Sequence, residues 1–206
     1  MLAANGKRDV AVFSHRGIDG STCPGSNDAV GSEQADQPCT VGDLAGDALS
    51  VLESVGWSDI PCHVMGISLG GMVAQQLAID SPAQIRALVL GCTSHGGRNA
   101  APPPADFFNL CESWALSEPD LETSSNASAF AEPFVDFMLP SDFTRRPGGR
   151  RLRAKVIAEF TKTHRSKQGL KSQLQALSRF NSTKNLPKIK DTPCLVLHGS
   201  GDAVVP

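Results

Sequence analysis

Nowhere in these 206 residues does an apolar run approach the roughly 20 residues that a bilayer-spanning helix needs. The longest runs, such as 87–90, are strand-sized, so no association with a membrane is expected. The opening Met-Leu-Ala-Ala-Asn-Gly-Lys-Arg-Asp has no long apolar core behind its charges, which argues against a secretory signal and makes the cytoplasm the expected location. None of the six cysteines (Cys23, Cys39, Cys62, Cys92, Cys111, Cys194) forms a C-x-x-C pair. Structural thiols are therefore expected rather than a metal or redox centre, with Cys62, Cys92 and Cys194 acting as small buried hydrophobes in or beside strands. No metal and no cofactor is predicted. The chain has no internal repeat and no long low-complexity segment. A hydrophobic fraction of 40% and a charged fraction of 19% describe an ordinary globular chain, long enough for one good core and too short for two full domains.

The charge present is unevenly distributed. Net charge is −2, yet residues 144–190 hold 14 Lys and Arg against the single acid Glu159, while residues 1–143 hold 5 basic and 18 acidic residues. Such a segment reads as a solvated helical face partly paired with the acidic remainder, or as a field that draws anionic substrates toward a site beneath it. Neither interleaved aromatics nor a recognisable module accompanies the charge, so nucleic-acid binding is not expected.

Along the chain, residues 10–14 read as a short buried strand closed by His15-Arg16-Gly17, and a polar Gly/Ser/Asp-rich loop follows to about Pro38. Thr40 and Asp43 form a capping-box variant ahead of an amphipathic helix over 41–56. A strand over 62–65, a sharp turn, a helix over 69–79 and a continuous apolar strand over 85–91 follow. Continuous apolar strands separated by helices predict a parallel sheet covered on both faces. Residues 97–105 mark a boundary, and 106–185 are helical in character, with eight of the nine phenylalanines; Phe130, Phe134, Phe137 and Met138 fall on one helical face. Residues 145–155, around Pro147-Gly148-Gly149, read as a mobile charged loop. Residues 193–197 restore a buried strand.

The chemistry concentrates in Gly66-Ile67-Ser68-Leu69-Gly70-Gly71. A serine between glycines is a weak pattern alone, but here an apolar strand precedes it and a helix follows. A nucleophile at such a turn needs a strained backbone that projects its Oγ, and glycines at both flanks, Gly66 and Gly70, where side chains would clash. The helix starting there offers the Leu69 N–H, and the positive end of its dipole, to an oxyanion.

With His15-Arg16-Gly17, the helix capped by Thr40, this turn, the 85–91 strand ending in Thr93-Ser94, and Leu197-His198-Gly199-Ser200-Gly201-Asp202, the sequence resembles the α/β-hydrolase superfamily, in particular its small esterase, lactonase and cofactor-free haloperoxidase-like group. The resemblance implies an α/β fold with a mostly parallel, incomplete sheet: residues 1–100 and 186–206 as core, and 101–185 as a helical lid inserted before the last strand. It implies Ser68 as nucleophile and Asp202 as the acid that orients a histidine. Small carboxylic esters or lactones are the implied substrates, cleaved through an acyl-enzyme. The Phe-rich lid favours an apolar acyl or ring group, and its Lys/Arg excess permits an anionic one.

Two departures from the family pattern set a further expectation. Only four residues follow Asp202, so the family's later histidine is absent, and the chain opens just before the strand bearing His15, without the loop that supplies a second oxyanion donor. His198 reads as structural, His63 as core-packed and His164 as solvated, while His95, beyond a strand whose carboxyl end borders the site, is the best substitute. Loss of one triad member costs on the order of 10⁴ to 10⁶ in kcat. The expected chain is thus an inactive, incomplete form of an enzyme. The rival reading is a non-catalytic ligand-binding or remnant protein on the same fold, which leaves open whether the chain is itself an enzyme.

Overall fold

The computed structural model describes residue 6 and residues 8–22, 39–116 and 124–206. The polar loop expected to reach Pro38, and Cys23 within it, lie largely outside them. Thr40 opens α1 (Val41–Ser54): its hydroxyl accepts from the Asp43 N–H while the Asp43 carboxylate accepts from the Thr40 N–H, a reciprocal capping box. Val41, Leu44, Ala45 and Ala48 recur at helical spacing and are buried. The helix stops where Gly56 takes φ +75°.

Three strands then form a parallel sheet in the order β1 (Cys62–Ile67), β2 (Ile85–Gly91), β3 (Cys194–Leu197). The register pairs Gly66 with Leu90, Ile67 with Gly91, and Gly91 with Leu197, so all three carboxyl ends finish on one edge. Helix α2 (Leu69–Asp80) crosses over between β1 and β2, and its apolar residues Met72, Val73, Leu77 and Ala78 are buried against the sheet and α1. This is the parallel α/β architecture that the apolar runs predict.

Coverage differs from the expectation of two covered faces. Burial alternates along β1: Gly66 is buried while His63, Met65 and Ile67 are exposed, and β3 is exposed throughout. Among the described residues, helices pack on one face of β1 and β2 and leave the other open, and β3 is exposed on both. His63 is accordingly exposed rather than core-packed, because its side chain points to the open face. Residues 10–14 form no strand, since no described strand pairs with them, and Val12 is 88% exposed. Of the three cysteines expected to be buried, Cys194 is exposed and Cys62 and Cys92 are partly so; the five described cysteines are free thiols.

The described residues between β2 and β3 form five α-helices: α3 (Ala105–Leu116), α4 (Ser124–Met138), α5 (Ser141–Thr144), α6 (Pro147–Lys162) and α7 (Lys167–Arg179). Their shared core is aromatic. Trp114 stacks on Phe130 at 3.7 Å between ring centroids, Phe160 joins them, and Phe107 packs against Phe134 and Phe137. The expected mobile loop over 145–155 is instead the start of α6. Pro147 occupies the first turn, where its missing N–H costs nothing, and Gly149 packs against the Phe143 carbonyl where a Cβ would collide. Some of the basic charge is paired, with Arg153 forked on Asp136 at 2.7 and 3.0 Å.

The His15-Arg16-Gly17 turn ties these helices to the sheet domain. Arg16 donates twice to the Asp47 carboxylate, at 2.6 and 2.7 Å, anchoring the turn on α1. From the other side, the Ser166 N–H donates to the Gly17 carbonyl at 2.8 Å and Gln173 Nε2 to the Arg16 carbonyl at 3.1 Å. Gly17, at φ +76°, lies so close to the Gly169 backbone that neither position admits a Cβ.

Candidate active site

The backbone at Ser68 is forced into a region that residues with a Cβ rarely occupy, at φ 54° and ψ −122°. Holding a non-glycine residue there costs on the order of 1–3 kcal/mol and persists only where neighbours over-determine it. They do so here. The Ser68 N–H donates to the Gly91 carbonyl at 3.0 Å, across from β2. The Ser68 carbonyl accepts from the N–H groups of Gly71 at 2.9 Å and Met72 at 3.2 Å, and from the Thr93 hydroxyl at 2.7 Å.

The glycines around the turn have distinct reasons to lack a side chain. A Cβ on Gly66 would collide with the Gly70 carbonyl group and the Gly71 nitrogen, as expected for a nucleophile turn. A Cβ on Gly70 would meet nothing within 4 Å, so the expectation of a clash at both flanks fails there. The tight contact falls one residue later: a Gly71 Cβ would stand 2.6 Å from the Thr93 side chain. Thr93 and Gly71 are the two residues the motif alone does not single out. Their only sequence signals are a second glycine after the motif and a hydroxyl residue at the end of the next strand.

The Leu69 N–H is the first of α2 and finds no acceptor among the described residues, leaving a donor beside the serine at the positive end of the helix. Ser68 and Leu69 line a cavity of about 330 Å³ whose wall is completed by Met72, Thr93, Phe107, Phe134 and Leu174. Val204 and Val205 reach the same cavity from beyond β3.

Asp202 lies past the carboxyl end of β3, on the sheet edge where β1 delivers Ser68. Its carboxylate is half committed: Oδ1 accepts from the N–H groups of Val204 at 2.9 Å and Val205 at 2.8 Å. Its Oδ2 stands 3.5 Å from His198 Nε2, which also donates to the Val205 carbonyl at 2.6 Å. None of the five histidines, all described, hydrogen-bonds to Ser68. His95 meets the Thr183 hydroxyl at 3.1 Å, His63 and His164 are exposed, and His15 packs edge-on to Phe13, where burial lowers its pKa. Among the described residues no Lys or Arg lines the cavity, although residues 144–190 hold 14 of the chain's 19 Lys and Arg.

This strand–turn–helix geometry agrees with comparisons to known proteins. The sequence profile of the alpha/beta hydrolase fold family matches residues 2–206. "Putative carbamate hydrolase RutD" of Pseudomonas savastanoi pv. phaseolicola is 26% identical over all of this chain and 70% of its own length. A hydrolase from Pseudomonas aeruginosa PA01 superposes with a TM-score of 0.62 at 27% identity, over 93% of this chain and 61% of that one. The enol-lactonase from Burkholderia xenovorans LB400 superposes with a TM-score of 0.66 at 21% identity, over 90% and 60%, a likeness of fold. The chain thus spans about three fifths of the length of these two solved structures. A strained serine between a parallel strand and its helix, with a profile that matches nearly end to end, makes the chain a member of the α/β-hydrolase fold family.

Proposed function

We propose that Ser68 is the nucleophile of a hydrolase acting on small carboxylic esters or lactones. The observation that carries the proposal is the Ser68 backbone at φ 54°, locked by Gly91, Gly71, Met72 and Thr93 at the wall of an apolar cavity. Strain of this kind clusters at functional sites, and here it falls on a serine at the cavity wall. In the reaction, Ser68 Oγ attacks the substrate carbonyl as a base takes its proton. The Leu69 N–H donates to the developing oxyanion, and the alcohol leaves with a proton from the same base. Water then attacks the acyl-serine ester, releasing the carboxylic acid and regenerating the hydroxyl. Asp202 is the acid that holds a histidine in the correct orientation. Because none of the histidines here bonds to Ser68, we assign the base to the part of the relatives' length that this chain does not span. Residues 101–185 serve as the lid over a core formed by 1–100 and 186–206, and the protein acts in the cytoplasm without a cofactor.

A second reading, ligand binding without catalysis, draws on one observation: His198, the histidine near Asp202, is tied to the Val205 carbonyl. Treatment of a full-length form that includes the base with a fluorophosphonate probe separates the two. Labelling at Ser68 that disappears in Ser68→Ala supports the nucleophile; labelling that survives undiminished in Ser68→Ala excludes it.

A further inference from the structure

The cavity wall carries more information about the substrate than the composition of the helices above it. We infer that the site selects uncharged acyl groups and discriminates against substrates with a carboxylate on the acyl chain. The inference rests on Ser68 being the nucleophile and specifies what that nucleophile can reach.

Among the described residues, no lysine, arginine or histidine contributes to the wall, and no aspartate or glutamate either. Its polar side chains are already engaged. The Thr93 hydroxyl donates to the Ser68 carbonyl at 2.7 Å, and the Ser94 hydroxyl accepts from the Gly96 N–H at 3.0 Å. Gln173 Nε2 donates to the Arg16 carbonyl at 3.1 Å, and the Ser178 hydroxyl to the Gln175 carbonyl at 3.0 Å. Only the Ser68 hydroxyl and the Cys111 thiol on this wall have no hydrogen-bond partner among the described residues. The Cys111 thiol reports the same environment, since burial pushes its pKa up to about 11. Elsewhere on the wall are aromatic rings from α3 and α4, leucines from α7, and Val204 and Val205.

A carboxylate entering this cavity would exchange its hydration for a wall that offers no counter-charge among the described residues and only a few neutral donors, of which the Leu69 N–H serves the oxyanion, and a buried charge without a counter-charge is heavily disfavoured. An alkyl or aryl chain of the same length loses nothing polar and gains burial. Among the described residues, none of the fourteen basic residues of 144–190 is on this wall, and three of them are engaged elsewhere. Arg153 is paired with Asp136, Lys162 with Glu159, and the Arg165 guanidinium lies 3.7 Å over the Phe160 ring while donating to the Phe160 and Thr163 carbonyls.

In a full-length form that includes the base, the test compares the rate at which Ser68 is phosphonylated by a butyl fluorophosphonate with the rate for an analogue whose butyl chain ends in a carboxylate. The neutral probe is expected to react faster by about 10²-fold or more. In Ser178→Lys, which places an ammonium at an exposed position on the wall, that ratio is expected to shrink at least several-fold. Equal rates, or a preference for the anionic probe, overturn the charge discrimination while leaving Ser68 as nucleophile. Failure of both probes to modify Ser68 overturns the nucleophile itself, and the discrimination with it.

Discussion

Gly70 and Gly71 are neighbours, yet the structure gives them opposite tolerances. Gly71 faces Thr93, the residue whose hydroxyl holds the Ser68 carbonyl, so an added methyl presses on the support of the nucleophile. Gly71→Ala is expected to cost about 1–3 kcal/mol of stability, the usual range for overpacking, and to slow phosphonylation of Ser68 as Thr93 is displaced. Gly70 sits in the first turn of α2 with open space where its Cβ would be. Gly70→Ala is expected to leave stability unchanged or raise it by up to about 1 kcal/mol, through the lower backbone entropy of the unfolded chain. Urea unfolding of the two variants side by side checks both. A destabilised Gly70→Ala together with an unaffected Gly71→Ala would reverse the assignment.

At the scale of elements, α1 shows how a short polar signal fixes a helix start. Burial alone would push the Asp43 pKa up, but hydrogen bonds from the Thr40 hydroxyl and the Thr40 N–H hold it below the ordinary carboxylate value. A carboxyl group with a depressed folded pKa stabilises the fold above its unfolded pKa, and that contribution is lost as pH falls through the folded value. Thr40→Ala is expected to cost about 1 kcal/mol at neutral pH. It is also expected to flatten the loss of stability on acidification below about pH 4, as Asp43 loses its partner. Melting temperatures from pH 7 to pH 3 for both forms check this; parallel curves would mean that the cap does not set the Asp43 pKa. Elements with such local signals were legible in the sequence. The α1 cap, the 85–91 strand and the turn at Ser68 each depend on residues within a few positions of one another. The start of α6 was not legible, because Pro147-Gly148-Gly149 is the residue pattern of a loop. Only the Phe143 carbonyl, brought up by α5, makes Gly149 a packing residue and Pro147 a helix start. Nor could the strand runs report their own exposure: an apolar run records what a segment would bury, whereas burial depends on whether another element covers it.

At the scale of the molecule, that open face is the dominant physical feature. Met65, Ile67, Leu195 and Leu197 are 57%, 59%, 53% and 49% exposed, and both edge strands, β1 and β3, present backbone groups without a ladder partner among the described residues. A bare apolar sheet with free edges is a template for association through further strands, and native sheets suppress it with edge charges, bulges or covering elements. Neither β1 nor β3 carries a lysine or arginine to do so. The 206-residue chain on its own is therefore expected to self-associate at about 10 μM and above, and to bind a hydrophobic dye. Leu195→Lys, which puts a charge on the open face of β3, is expected to shift the distribution toward monomer while leaving the cavity at Ser68 intact, because Leu195 is not among the residues that line it. Size-exclusion chromatography with light scattering over a concentration series reads the outcome. A monodisperse monomer across that range, with no dye binding, would mean that the open face is covered in solution.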